Sequence, residues 1–507
     1  MATIASVKIH PAIGIARIGN SPDGFFIGPE VPGVFKRPSG GYKDSSGRIK
    51  RQAARFRVFG YDSKGKVVRE ITSTEAAIKW TVHLANRKAA WRRFEGLKRK
   101  APFRNAGIVS RDRLVIDPGE RVLSGANQRG LFDTGSFLRV KVPLGEMRTD
   151  NVGRLLVLGG FGNSASPSKA KLPEFANNDG WYDDISDGPV QATVVLKGIE
   201  QSFTAVGSWV ICPPPDFAPA ITNVITLYDT LYQVAVDKGW KKPSKRPSFS
   251  NDVYPILSRA LSMKWVNQLK KMDDADMPST APMAAHGHED AMWRKIIPPP
   301  GSHATRSFIF GKLRDPKLAH NVESEDDSDM PMLWSDYYAD GKSQPLTRVQ
   351  YEIMKRWKNG DFISDWNSRS TPSGISPKGL DRSALEACVG AAFYPGIEAS
   401  WMLRDVFAFV EPFRLDQSKL KPGDVTKQMA LPWQADFTDC AQDQEGDQNL
   451  AWWPGQRPDD VYPEAGGGQV PWTRDLVNSK EDMIKNWYRL GFVVKRGSKY
   501  VETERQG

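Results

Sequence analysis

The residues most suggestive of chemistry in this 507-residue chain lie between positions 429 and 487. Cys440 has one carboxylate, Asp436, four residues before it and a second, Asp439, beside it; Trp452, Trp453, Trp472 and Trp487 follow. A thiol flanked by acids and followed by so many indoles is an unusual composition for a plain apolar core, and it marks Cys440 as a candidate reactive thiol. The familiar catalytic signatures are missing from the sequence: there is no Walker loop, no H-E-x-x-H, no G-x-S-x-G elbow and no C-x-x-C pair. Only 6 histidines are present, so histidine-based catalysis has little material. His286 and His288 are spaced as a metal pair but lack a third ligand pattern, and a surface loop is the expected reading. The four aspartates of residues 177–189 lack EF-hand spacing, which favours a network of Asx turns over a calcium site.

Two further residues stand out. Cys388 lies in a run of small apolar residues, where a cysteine ordinarily behaves as a small hydrophobe. Glu398, between Ile397 and Ala399, requires a partner if buried, and Arg404 is the nearest candidate in sequence.

The elements that must position these residues mix two periods. Strict alternation predicts a strand over residues 55–61, continuing after a turn through 64–69 as a hairpin. Further strands are expected at 7–20, 113–117, 137–142, 155–158 and 190–196, and near both 492–494 and 500–504. Ile78, Val82, Ala85 and Ala89 fall at helical spacing, which predicts a helix from Thr74. The basic run 87–104 around Trp91, Phe94 and Leu97 reads as the solvated face of an amphipathic helix. Helices are also expected over 221–236, over the start of 383–401, and at Met483, Ile484, Trp487 and Leu490. With 36 prolines and 44 glycines punctuating these elements, the fold class is α+β: β-rich, with antiparallel sheets, several helices and long ordered loops. A basic, proline-containing connector at 238–247 suggests an N-terminal β-rich domain over 1–240 and a C-terminal catalytic domain over 241–507.

Composition excludes several classes. A hydrophobic content of 40% with 25% charged residues belongs to a globular chain, and no run of eighteen apolar residues offers a membrane span. Three cysteines, Cys212, Cys388 and Cys440, do not make a disulfide framework. The net charge of +11 attracts anions in general, but no nucleic-acid motif accompanies it, so no nucleic-acid partner is expected. With no signal-peptide pattern at the start, the expected location is cytoplasmic.

Six segments together resemble the LodA-like family, which contains lysine ε-oxidases and glycine oxidases. They are residues 9–21 (IHPAIGIARIGNS), 80–91 (WTVHLANRKAAW), 179–184 (DGWYDD), 387–398 (ACVGAAFYPGIE), 431–440 (LPWQADFTDC) and 452–458 (WWPGQRP), in order along the chain. The resemblance implies a cysteine tryptophylquinone, a cofactor made within the chain by a thioether between a cysteine and an oxidised tryptophan. Carried onto this sequence, the cysteine is Cys440 and Asp436 is the carboxylate needed to form the cofactor, with a physical role as a positioned base. The tryptophan is Trp472, with Trp487 as the alternative; Trp487 shares a helix face with Met483 and Leu490 and so already has a packing role. Cys388 matches a cysteine near the active site.

The implied activity is oxidative deamination of the primary amine of an amino acid with O2, giving an aldehyde or keto product, ammonia and hydrogen peroxide. A maturation flavoprotein is the implied partner, and a homo-oligomer is an open alternative. Two other readings compete: a family member that uses the same cofactor to hydroxylate or otherwise modify a peptide or amine, and a non-enzymatic β-rich binding protein in which Cys440 stays a thiol.

Overall fold

In the computed structural model, the described residues are 3–95, 101–198, 201–267, 301–317, 330–331, 344–366, 374–390, 396–441 and 453–506. Two large sheets dominate the first half of the chain. One is ordered Ser6–His10, Arg51–Tyr61, Leu155–Leu158, Glu146–Thr149, Arg129–Leu131, with Phe25–Ile27 and Val67–Ile71 also paired to the long Arg51–Tyr61 strand. The other is ordered Ile13–Ile15, Ser208–Cys212, Ser186–Leu196, Ala76–Val82, Arg121–Ser124, with Ser202–Thr204 paired to Ser186–Leu196. Pairing is antiparallel except for Phe25–Ile27 against Arg51–Tyr61 and Ile13–Ile15 against Ser208–Cys212. Inner-face residues of both sheets, among them Val7, Phe56 and Val58 from the first and Ile78, Trp80 and Val194 from the second, form one continuous core.

The predicted hairpin is present as Arg51–Tyr61 against Val67–Ile71. The predicted helix from Thr74 is not: Ala76–Val82 is a strand, buried at alternate positions and paired along its whole length with Ser186–Leu196. Ala76, Ile78, Trp80 and Val82 have a period of two as well as partial helical spacing, and a long partner strand resolves that ambiguity in favour of the sheet. The basic run 87–104 also departs from expectation. Among its described residues only Lys88–Ala90 is helical, as a single 3-10 turn, and Lys88 and Arg104 are fully buried. The expected strand at 113–117 is likewise a 3-10 turn, Arg111–Leu114.

Helices dominate the rest: Leu227–Asp237, Tyr254–Ser262, His303–Gly311, Arg348–Asn359, Pro377–Glu386, Trp433–Ala441 and Lys480–Asn486 among the described residues. Local chemistry accounts for several ends. Thr226 and Asp229 form a reciprocal cap at the start of Leu227–Asp237, and Gly360, at φ 82°, ends Arg348–Asn359 in the left-handed region that favours glycine. A closing hairpin pairs Phe492–Arg496 with Lys499–Thr503.

The early and late parts of the sequence share a second core. It joins Ile18, Tyr42 and Ile49 to Phe217, Trp433, Phe437, Trp472, Trp487 and Phe492. Tyr42 stacks on Phe492 with ring centroids 4.6 Å apart, the Val493 amide donates to the Phe217 carbonyl at 2.7 Å, and the Lys43 amide donates to Glu504 at 2.8 Å. None of the described helices is long and apolar enough to cross a membrane.

Candidate active site

The Trp433–Ala441 helix carries Asp436 and, in its last turn, Cys440. Its start is held by the acidic loop that precedes the Ser186–Leu196 strand. Asp183 is fully buried; its carboxylate accepts from Asn86 Nδ2 at 2.9 Å, from the Trp433 amide at 3.1 Å and from Lys88 Nζ. An anion at a helix N-terminus satisfies an otherwise orphaned amide and suits the helix dipole. Lys88 is drawn into the interior to balance that charge; burial pulls its pKa down, and Asp183 opposes the shift.

The neighbouring Asp184 shapes the next wall. It accepts from the amides of Phe161, Gly162 and Asn163 at 2.7, 3.2 and 3.0 Å, folding a turn in which Gly162 has φ 78°. A Cβ on Gly162 would lie 2.2 Å from the Trp487 ring, so the glycine is required both by its backbone angle and by the close approach of the indole. Gln434, on the helix, donates to the Gly162 carbonyl at 3.0 Å. The aspartates of this loop are thus structural acceptors, and no cluster of three metal-ligating side chains occurs among the described residues.

Along the helix an aromatic cluster lines one side. Trp433 packs edge-on to Phe437 at 4.7 Å and to Trp487 at 5.3 Å. Phe217 links Phe437, at 6.2 Å, to Trp472, at 4.8 Å. Both candidate tryptophans are buried here, so a packing role does not distinguish them; the Trp472 indole N–H donates to the Gly491 carbonyl at 3.0 Å. Asp436 is buried and forms an ion pair with buried Arg457, whose guanidinium lies 4.0 Å from the centre of the Phe437 ring. The Cys440 side chain lies outside the described part, as do Trp452, His286 and His288. Helical spacing puts position 440 one turn beyond Asp436 and Phe437.

Cys388 sits in an adjoining buried cluster. Its thiol donates to the Ala384 carbonyl at 3.3 Å, and burial, aided by Glu398, holds its pKa well above the ordinary value. Glu398 does have a cationic partner, but it is Arg17 at 2.7 Å rather than the expected Arg404. Arg404 instead donates to the Gly390 carbonyl and to Gln344. Burial works against the Arg17 charge, yet the Glu398 and Asp216 carboxylates outweigh it and hold the guanidinium charged.

The loop after Trp453 joins the two clusters. Arg457 faces Asp436, while its neighbour Gln456 donates to the Ala387 carbonyl at 3.3 Å, accepts from Asn223 at 2.7 Å and takes the Phe217 amide on its carbonyl at 3.2 Å. The sequence marks residues 452–458 by their family likeness but gives none of their side chains a role. The usable signal was Asp436 itself, since a buried carboxylate beside a thiol calls for a cation. Arg17 and Asp216 carried no comparable signal.

Models of the L-lysine ε-oxidase N-terminal and C-terminal domains match residues 10–212 and 331–454, together more than half of the sequence. The chain belongs to the LodA-like family of amino-acid oxidases. The L-lysine 6-oxidase of Marinomonas mediterranea is 28% identical to it over 86% of this chain and 71% of that protein. The crystal structure of the Marinomonas mediterranea L-Lys ε-oxidase superposes with a TM-score of 0.76 at 24% identity, covering 99% of this chain and 95% of that one. The same enzyme captured as its Schiff base intermediate with L-Lys superposes with a TM-score of 0.77 over the same shares. These likenesses agree with the β-rich α+β architecture.

Proposed function

We propose that the chain carries a cysteine tryptophylquinone built from Cys440 and Trp472, with Trp487 as the alternative ring, and uses it to oxidise the primary amine of an amino acid. The observation that carries this reading is the buried Asp436–Arg457 pair one helical turn from position 440, on a helix that packs directly on Trp487 and, through Phe217, on Trp472. Trp472 is favoured because Phe217 links it to Phe437, one turn before Cys440, whereas Trp487 packs on Trp433, two turns before it. The buried Trp433 indole N–H has no hydrogen-bond partner among the described residues, which is the kind of orphaned donor that an oxygenated ring in this cluster would satisfy.

When present, such a group supplies an electrophilic carbonyl that accepts the amine and two electrons from the substrate. The residues of the chain handle the protons and the environment. Asp436, held in place by Arg457, accepts a proton from the Cys440 thiol as the crosslink forms and from the amine-bearing carbon during turnover. The surrounding aromatic rings exclude bulk water, which strengthens the Asp436–Arg457 interaction. In the overall reaction the amine, O2 and water give the aldehyde or keto product, ammonia and hydrogen peroxide. The similarity to a named lysine oxidase makes L-lysine the first substrate to test.

The test is intact-mass and peptide mapping of chain coexpressed with the family's maturation flavoprotein. The expected chain is heavier by two ring oxygens, lighter by the hydrogens lost, absorbs in the visible and carries Cys440 and Trp472 in one crosslinked peptide. An unmodified mass under these conditions would refute the reading, and a crosslink to Trp487 would reassign the ring. Asp436→Asn is expected to abolish the visible band; its full retention would remove Asp436 from cofactor formation.

A further inference from the structure

A cleft of about 430 Å³ opens beside this site, lined by Phe26, Glu30, Tyr42, Asp216, Pro219 and Ala387 among others. Its floor is shared with the aromatic cluster. Asp216 precedes Phe217, whose ring meets Trp472 and Phe492, while Tyr42 stacks on Phe492. Ala387, on another wall, is held by Gln456, the neighbour of Arg457. Asp216, through its neighbour Phe217, and Tyr42, through Phe492, thus join the lining of the cleft to the cluster that packs on the Cys440 helix.

The two acidic residues of the cleft differ in how fully they are engaged. Glu30 is bound by both Arg55 and Arg57 and has no charge to spare for a ligand. Asp216 is 93% buried by its 7% exposure, yet only its Oδ1 is engaged, accepting from the Ala218 amide at 2.9 Å. Its Oδ2 takes no hydrogen bond from any described residue. Arg17, whose charge acts on Asp216, is committed to Glu398 and to the Pro214 and Ala387 carbonyls. A largely buried carboxylate with one oxygen open toward a cavity is a ready acceptor for a cationic ligand.

We propose that this cleft binds the amine substrate and that Asp216 recognises a second ammonium group on it, remote from the amine being oxidised. The preferred substrates are then amino acids or diamines with two ammonium groups separated by a short carbon chain. One end is held at Asp216, and the carbon chain lies along Tyr42 and Phe26, which line the same cleft. Asp216 is a specificity-determining residue rather than one that handles the reacting proton. This proposal rests on the quinone reading for the position of the reacting end, but the cleft's preference for ammonium can be measured without it.

Asp216→Asn keeps the oxygen that accepts from Ala218 and removes the charge; Asp216→Glu keeps the charge. In the mature enzyme, Asp216→Asn is expected to raise KM for L-lysine and 1,5-diaminopentane at least tenfold, with a much smaller change for n-pentylamine and an unaltered visible band. Asp216→Glu should recover part of the loss. Equal KM changes for diamine and monoamine, or none, would overturn the proposal. A second arm uses full-length Cys440→Ala, which cannot form the thioether, and titrates 1,5-diaminopentane by calorimetry with and without Asp216→Asn. Binding lost with the charge supports the cleft assignment even if mass analysis finds no quinone in the parent chain. Binding indifferent to the charge refutes the assignment even if the quinone is present.

Discussion

Asp183 and Asp216 are both buried carboxylates within a few residues of the same aromatic cluster, yet their surroundings are opposite. Asp183 is saturated by Lys88, Asn86 and the Trp433 amide, and its charge is used up in fixing the start of the Cys440 helix. Asp216 has one oxygen engaged and one facing a cleft, and burial pushes its pKa up to about 6 while Arg17 and the Ala218 amide pull it down. A saturated buried charge fixes geometry. An unsaturated one is held ready for a ligand, at a cost to the free protein.

The contrast can be broken most forcefully at Asp183. Lys88→Met would leave that carboxylate buried without its cation and is expected to destabilise the fold by about 3–5 kcal/mol in chemical denaturation. A loss below about 1 kcal/mol would mean that Asp183 is not the fixed anchor described. Next in size is Gly162→Ala, which combines an unfavourable φ with a clash against Trp487; about 1–3 kcal/mol should be lost in thermal unfolding.

The pH dependence sharpens the Asp216 side of the comparison. Below pH of about 6 the Asp216 carboxyl is mostly neutral, so KM for a diamine should fall as pH rises toward that value and then level off. The limiting slope is about tenfold per pH unit. Arg17, Glu398 and Tyr42 share its surroundings, and the Tyr42 hydroxyl, its pKa raised by burial, stays neutral throughout this range. A profile unchanged in Asp216→Asn would detach the titration from this residue.

The smallest effect expected is on stability. A carboxyl whose folded pKa lies above its unfolded value costs the fold free energy that grows as pH rises from about 4 to about 6. Two pH units correspond to about 2.7 kcal/mol, of which the buried Asn amide gives back about 1–2, so Asp216→Asn should be more stable than the parent at pH 7 by about 1 kcal/mol. A marked destabilisation would place Asp216 with Asp183 as a structural charge.

Much of the architecture was legible where one periodicity ruled alone. The Arg51–Tyr61 hairpin alternates without ambiguity, and Met483 and Trp487 mark the closing helix. Ala76–Val82 departs from the expected helix because its apolar residues satisfy two periods, and only the partner strand, more than a hundred residues away in sequence, decides between them. The basic run 87–104 departs from its expected solvated helix for a related reason. Lysine and arginine are normally solvated, and nothing local reveals that Lys88 is matched to Asp183.

At the site, motif likeness picked out the segment that bears Asp436 and Cys440, but not that it is a helix. The partners were not legible because they are distant in sequence: Arg17 reaches Glu398 across 381 positions, while the nearer Arg404 serves a carbonyl. Asp216 follows three prolines in what reads as a plain turn, and its importance comes entirely from the cavity beside it.

The stacking of Tyr42 on Phe492, and the hold of Glu504 on Lys43, bear on the order of events during synthesis. The ribosome releases the first sheet long before residues 492–504 exist, so the wall behind Trp472 and the Cys440 helix stays open until then. Enclosure of the Cys440 helix is therefore a late event, reached only when the chain closes upon its own beginning.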